Sequence, residues 1–507
     1  MRGYRTDTRL TKRFNTVDNK KIVIIGAGLS GLANAAMLAK SGFDVTVVEK
    51  HSIPGGVARG IRTDGYHFDL GPSWYLMPDI FEKYFAWFGK KPSDFFELLE
   101  LEPSYKILFE NDRTVSISKD RERNLELFDS LEENGGDHLA AYLEKAEFKY
   151  RVAVDEFLYR DYFSFFDFLR PQLMKYGMRL DLLKGLDKHA RKYLTNHRSR
   201  KIVEFNTVFL GSSPYTVPAL YSLMSHVDIG LGVFFPKGGI YELPKALHRL
   251  GLEAGAEYIF STEVEKILVE NRRAVAVRTD KGDIAADIVL STADYHFTDT
   301  VLLDYGSRNY TSFYWNNRVM GPSAFLLYLG LDRPFPDIDH HTFYLAHRWK
   351  EHFDTIFNNK RWPENPCYYL CCPTKTDPSL APPGRDLLFV LVPVASGLDD
   401  TDGIRRRFTD QILSHIEGNF GFPLRDSIVT QHVVSHRDFI GSGNLFQGTA
   451  LGLAHTLLQT AFLRPSHKSK RIKNLYYAGH YTQPGIGMPM VLIGAHLVTD
   501  LITKNHG

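Results

Sequence analysis

Apolar positions along this chain fall at two spacings, and the earliest cluster sets the frame for the rest. Ile22–Ile25 is a short continuous apolar run. Gly26-x-Gly28-x-x-Gly31 follows, then a segment of small helix-forming residues, then a second run, Val45–Val48, closed by Glu49. Short apolar runs bounded by turn residues predict buried strands, so the pattern is strand, tight turn, helix and parallel strand, a dinucleotide-binding unit. Each glycine has a mechanical role. Gly26 permits the sharp turn, Gly28 lets backbone approach a pyrophosphate, and Gly31 lets the helix pack closely on the strand. The diphosphate would then sit on the N–H groups opening the helix. Glu49 is placed to accept hydrogen bonds from both ribose hydroxyls, which selects an adenosine without a 2′-phosphate.

The next stretch, Pro54–Trp74, repeats the glycine chemistry. Gly55 and Gly56 allow a second close backbone passage, and Arg59 brings a permanent cation near the diphosphate. Tyr66–Asp69 predicts a strand ending in a turn, Gly71-Pro72-Ser73, that can face a flavin edge. From about residue 90 to 203 glycine thins out. Phe157, Leu158, Tyr162, Phe165, Phe166 and Leu169 recur at three- and four-residue spacing among basic residues. Two readings stand: a helical cap packed onto the protein, or an interfacial patch that dips into lipid while basic side chains meet headgroups.

Glycine returns at Phe234–Ile240, ahead of a predicted helix, Tyr241–Ala254. Strand-like runs follow at Glu257–Phe260, Val264–Leu268, Ala274–Arg278 and Ile288–Leu290, the last leading to Asp294. This predicts a return to the nucleotide domain, with strand pairing near Val264 offering backbone groups to an adenine ring. From Tyr295 to about Leu463 strand and helix patterns alternate, with strands at Ser323–Leu331 and Leu387–Val394, as in a substrate domain with its own sheet. Finally, a strand at Leu475–Ala478 ends in Gly479, and a loop through Gly487 opens a helix, Pro489–Ile502. N–H groups near Gly487, Met488 and Met490 would stabilise negative charge on a reduced isoalloxazine ring.

Composition narrows the choice of partners. The chain has 507 residues, room for two or three domains, and its 61 basic residues nearly cancel 59 acidic ones, which gives no footprint for nucleic acid. The cysteines, Cys367, Cys371 and Cys372, sit in one segment, which excludes a disulfide framework, fits a reducing cytoplasmic compartment and matches no zinc spacing. His340, His341 and His347 likewise fit no metal-ligand spacing and are expected to form a loop cluster, so no metal is expected. No apolar run is long enough to span a bilayer, and residues 1–20 form a basic tail.

Together these motifs resemble a family. GAGLSGL with Glu49, PGGVARGIRTDGYHFDLGPSW, FFPKGGIYELPKAL, ADIVLSTAD and YYAGHYTQPGIGMPMVLIGA occur in the order and spacing of the bacterial- and fungal-type phytoene desaturases of the flavin amine-oxidase superfamily. HHTFYLAHRWKEHFDTIFN, DPSLAPPGRD and LLQTAFLRP extend the likeness into the substrate region. The resemblance implies an α/β architecture: a Rossmann-like FAD-binding domain, an interleaved α+β substrate domain and a helical, membrane-associating cap. The expected boundaries are a tail at 1–20, FAD-binding parts at 21–90, 225–300 and 465–507, a helical cap or substrate region at 91–224 and a substrate domain at 301–464. It further implies noncovalent FAD contacted by Gly26, Gly28, Ser30, Glu49, Lys50, Gly56, Arg59, Gly71, Pro72, Ser73, Trp74, Val264, Asp294, Gly479, Gly487, Met488 and Met490.

The implied reaction is desaturation of a long apolar polyene such as phytoene, with hydride transfer to the flavin, peripheral attachment to a membrane surface, and oxygen or a quinone as electron acceptor. Glu144 is the one acid–base candidate in the region where the family is held to carry such groups. The C-terminal loop departs from the family pattern at His480-Tyr481 and Gln483. Redox-neutral carotenoid isomerisation, or action on a thirty-carbon carotenoid, are the alternatives within reach of the same cofactor.

Overall fold

The computed structural model describes residues 19–110, 113–162, 179–182 and 184–507. The predicted βαβ unit is present as β1 (Lys21–Ile25), α1 (Leu29–Lys40) and β2 (Asp44–Val48). These strands lie at the centre of a five-stranded parallel sheet, flanked by Ile288–Ser291 and Leu475–Tyr477 on one side and Glu257–Ile259 on the other. Because side chains alternate across a strand, β1 feeds two cores. Ile22 and Ile24 pack with Leu32 and Val47 on the face covered by α1; Val23 and Ile25 pack with Val264, Ile267 and Val277 on the other. A parallel sheet covered on both faces needs such continuously apolar strands. Helices Glu242–Glu253 and Met488–His506 pack beside α1. The opposite face carries an antiparallel sheet of Val264–Glu270, Arg273–Thr279 and Gly282–Ala285.

A seven-stranded sheet forms the second body, in the order Ile428–Val434, Ser323–Leu331, Leu387–Val394, Tyr368–Cys371, His341–Leu345, Tyr105–Phe109, Thr114–Ile117. All its pairs are antiparallel except His341–Leu345 with Tyr105–Phe109. Every residue of Ser323–Leu331 is buried, which accounts for its unbroken apolar sequence.

Within the stretch 91–224, expected as a helical cap or substrate region, strands Tyr105–Phe109 and Thr114–Ile117 extend the seven-stranded sheet. The burial of Tyr105, Ile107 and Phe109 follows a two-residue period; one strand partner, Thr114–Ile117, is adjacent in sequence, and the other, His341–Leu345, lies more than two hundred residues away. Only beyond them do helices Arg121–Asp129, Gly135–Val152 and His197–Glu204 form. Phe165, Phe166 and Leu169, like the basic tail up to residue 18, lie outside the described residues; Phe157 and Leu158 are half-buried and Tyr162 is buried.

Candidate functional site

The turn after β1 is shaped by contacts that exclude side chains. Gly26 takes φ +98°, and its N–H donates to Val48 O at 2.8 Å. A Cβ on Gly31 would stand 1.9 Å from the Gly26 carbonyl oxygen, so α1 reaches its position only with glycine there. Thr292 completes the turn by donating to the carbonyls of Ile25 and Gly26, each at 2.9 Å. The second glycine passage lies against the first: Gly55 N–H donates to Ala27 O at 2.8 Å, and a Cβ on Gly56 would come within 2.9 Å of Gly28 Cα. Helix α1 begins without a side-chain cap, leaving its first N–H groups facing the space in front of this turn.

Charged groups border that space. Glu49 is buried, with Oε2 accepting from Ala27 N–H at 2.6 Å and Oε1 from His51 N–H at 2.9 Å. Ser30 Oγ and Arg59 Nε are buried without hydrogen-bond partners among the described residues. Burial lowers the pKa of Arg59, with Glu49 opposing the shift. Farther along, Asp294 accepts from Phe297 N–H at 2.9 Å and Phe446 N–H at 3.3 Å, and burial pushes its carboxyl up to about 6.

All of this opens into one cavity of about 1200 Å³. Gly26, Gly28, Ser30, Glu49, Lys50, Gly56 and Arg59 line it at the parallel sheet, and Gly71, Pro72, Ser73, Trp74, Val264, Asp294, Gly479, Gly487, Met488 and Met490 line it farther on. A Cβ on Gly479 would meet nothing within 4 Å, and Gly487 caps helix Met488–His506 without a side-chain bond, so the wall there is bare backbone. Such a wall accepts a flat ring at van der Waals distance, and a second uncapped helix start points its N–H groups toward it.

The flavin containing amine oxidoreductase family matches residues 29–502. The chain belongs to that family. It is 41% identical over 489 residues to a carotenoid 3,4-desaturase of Haloarcula japonica, covering 96% of this chain and 99% of the relative. A zeta-carotene-forming phytoene desaturase of Myxococcus xanthus is 35% identical, with 97% and 95% covered. Among solved structures, an oxidoreductase from Methanosarcina mazei matches with a TM-score of 0.62 at 19% identity, covering 95% of this chain and 100% of its own. This chain is therefore a flavin-dependent oxidoreductase of the amine-oxidase type.

Two predicted residues of this flavoenzyme do not line the cavity. Gly31 sits behind the turn, where it packs α1 down. Glu144 is a correction: it is solvent-exposed on helix Gly135–Val152, whose buried side carries Tyr142, Leu143, Ala146 and Tyr150, so it touches no part of the chamber. The histidine cluster is also corrected. His347 is exposed, whereas His340 and His341 are buried, and His341 begins a strand in which it pairs with Cys371. Ligating atoms of His340, His341 and Cys371 thus lie within 4.8 Å of one another, a proximity that linear spacing did not show. His341 stacks on Trp74 at 4.3 Å, and its Nδ1 lies 2.6 Å from the Tyr369 hydroxyl, which also donates to Ser73 Oγ at 3.0 Å.

Sequence reasoning singled out His480 and Gln483 only as departures from the family pattern and gave Arg464 no role in the C-terminal loop. Arg464 is 3% exposed and donates to the carbonyls of Leu453, Gln459, His480, Tyr481 and Thr482. Gln483 brackets Tyr162, accepting from its N–H at 3.3 Å and donating to its carbonyl at 2.9 Å. His480 fills the space in front of Gly452, where a Cβ would come 2.2 Å from its ring. An arginine surrounded by apolar letters carried no signal of this role, because its partners are all backbone carbonyls.

Proposed function

We propose that this flavoenzyme is a carotenoid desaturase that introduces double bonds into phytoene or a related polyene. The observation that carries the reading is the continuity of the cavity. The glycine turns open into a chamber walled by Phe205, Phe209, Leu326, Leu391 and Val434, and the whole exceeds the about 300–1,000 Å³ usual for one small ligand. Relatives named as carotenoid and phytoene desaturases align with nearly the full length of the chain.

The residues present fit FAD. Uncapped N–H groups of α1 with Ser30 and Arg59 would hold the diphosphate, Glu49 the ribose, and backbone at Val264 the adenine. Gly71–Trp74, Asp294, Gly479 and Gly487–Met490 would surround the isoalloxazine, without a covalent link. A polyene carries no acidic proton, and FAD when bound supplies the hydride acceptor that no side chain offers. The protein's own contribution is then geometric. Apolar walls align the chain and exclude water, and the buried loop held by Arg464 and Gln483 fixes the backbone donors.

A nearly water-insoluble substrate arrives from a bilayer, so the protein attaches to a membrane surface. Leu457, Leu458 and Leu463 are 49%, 72% and 39% exposed, and all three line the cavity. Among the described residues no helix is long and apolar enough to cross a membrane, so attachment is at the surface. Oxygen or a membrane quinone takes up the electrons. The test is incubation of FAD-loaded protein in air with liposomes containing phytoene, followed by product mass. Loss of hydrogens in pairs supports desaturation; unchanged mass with altered polyene geometry would replace it with isomerisation.

A further inference from the structure

In the antiparallel pair of strands His341–Leu345 and Tyr368–Cys371, the register sets His341 directly opposite Cys371. His340, at the entry to the first strand, lays its ring 4.4 Å from that of His341. All three side chains are buried, Cys371 is a free thiol, and their ligating atoms lie within 4.8 Å of one another. No other three His, Cys, Asp or Glu side chains among the described residues come together in this way. The cluster lies behind the chamber wall: Trp74 and Tyr369 line the cavity, and these three do not.

Hydrogen bonds decide which ring nitrogens are open. The Tyr369 hydroxyl gives its one hydrogen to Ser73 Oγ at 3.0 Å, so its 2.6 Å contact with His341 is donated by the imidazole Nδ1–H. Nε2 of His341 therefore keeps its lone pair, and it is buried without a partner among the described residues. His340 repeats the arrangement, with Nδ1 2.7 Å from Thr376 Oγ1 and Nε2 buried and open. An imidazole tied through one nitrogen to an outer oxygen and bare at the other is set up as a metal-ligating histidine. Other buried, open nitrogens lack such companions: Trp74 Nε1 is a donor only, and His480 belongs to no cluster of ligating groups.

We propose that His340, His341 and Cys371 form a binding site for one zinc ion. Two imidazole nitrogens and a sulfur make a borderline-soft donor set that suits zinc and, with no carboxylate in it, disfavours magnesium and calcium. Burial holds both imidazoles neutral, with lone pairs available, and pushes the Cys371 thiol up. Zinc reverses the latter effect: the Zn–S bond forms as the S–H bond breaks, the proton leaves to solvent, and no electron is transferred. A fourth position is left for water. The ion's place is structural. It ties the two strands together where His341 stacks on Trp74 at 4.3 Å and Tyr369 reaches Ser73, and so braces the Gly71–Trp74 wall from behind.

The test uses untagged, FAD-loaded full-length protein, stripped by a chelator and then dialysed to equilibrium against micromolar free zinc. Elemental analysis should find about one zinc per chain with a Kd of about 1 µM or tighter, and zinc should raise the thermal unfolding midpoint where magnesium does not. Cadmium in its place should give the ultraviolet charge-transfer band of a metal–thiolate bond. Cys371→Ser should abolish that band and weaken zinc at least about tenfold; Thr376→Val, which removes only the outer partner of His340, should weaken it about tenfold. Cys372→Ser, whose thiol meets Thr374 instead, should bind as the wild type does. A wild type that takes up no zinc, a cadmium band that persists in Cys371→Ser, or equal zinc affinity in wild type and Thr376→Val overturns the proposal. If Cys371→Ser does not fold, the wild type and Thr376→Val still decide. None of these readouts involves a polyene, so the desaturase reading stands or falls separately.

Discussion

Arg464 donates to the carbonyl of His480 at 2.6 Å, across the gap between the apolar segment before residue 465 and the loop that carries Gly479 and Gly487. The guanidinium lies in the interior, and among the described residues no carboxylate is paired with it; five carbonyl oxygens solvate it instead. Burial lowers its pKa to about 10, which leaves it charged at neutral pH.

Removing that fork strands the carbonyls it serves. Arg464→Met should cost about 3 kcal/mol or more in urea unfolding, since hydrogen bonds to a charged group contribute about 1.5–3 kcal/mol each and buried acceptors are left open. Arg464→Lys offers three donors from a single point and should recover only part of the loss. Both variants should purify with less flavin than the wild type, which visible absorbance per mole of protein measures.

Gly31 makes a sharper demand on the nucleotide turn. A Cβ there would stand 1.9 Å from Gly26 O and 2.9 Å from Thr292 Oγ1, one contact with backbone and one with a side chain that braces the same turn. Gly31→Ala should therefore displace the start of α1 and yield protein with little FAD, with dissociation constants raised at least about tenfold. Titration of the apoprotein with FAD, followed by flavin fluorescence quenching, checks this.

Asp228 predicts a pH dependence. Its carboxyl is fully buried, accepting from the Tyr105 hydroxyl at 3.1 Å and from Ile229 N–H at 2.9 Å, and burial pushes its pKa to about 8. In the unfolded chain an aspartate titrates at about 3.9, so the folded state keeps a proton that the unfolded state has released. The resulting stability is full below about pH 4 and is lost as pH rises toward 8. Asp228→Asn keeps an acceptor and removes the ionisation. Unfolding free energies taken at about pH 5 and about pH 8 should differ less in the variant than in the wild type, and the variant should be the more stable at the higher pH. Glu204, raised by burial to about 7, leaves part of the slope in both proteins.

The exposed leucines at the chamber predict membrane behaviour. Replacing Leu457 and Leu458 together by serine removes apolar surface that lies on the outside and changes no buried contact of large area. At about 1.5–3 kcal/mol per fully buried leucine, the double variant should lose most of its liposome co-sedimentation. Its thermal unfolding should match the wild type.

Elements whose determinants are local could be read from the sequence. The βαβ unit, strands Ser323–Leu331 and Leu387–Val394 and the helix after Gly487 follow from apolar runs and glycine punctuation alone. Strand Tyr105–Phe109 went unassigned, because its place in the sheet depends on parallel pairing with His341–Leu345, far away in sequence. Arg464 was hidden for a related reason: its role is defined by carbonyls of Leu453 and Gln459 and of His480–Thr482, which only folding brings together. Glu144 shows the reverse error, where a carboxylate in a promising region faces solvent.

The most direct test of the account is a single anaerobic turnover, with FAD-loaded protein in excess over phytoene in liposomes and the visible spectrum and product mass taken on the same sample. The account predicts one equivalent of flavin bleached for each pair of hydrogens lost, together with longer-wavelength polyene bands. Flavin that stays oxidised while the polyene changes, or a product of unchanged mass, would contradict it.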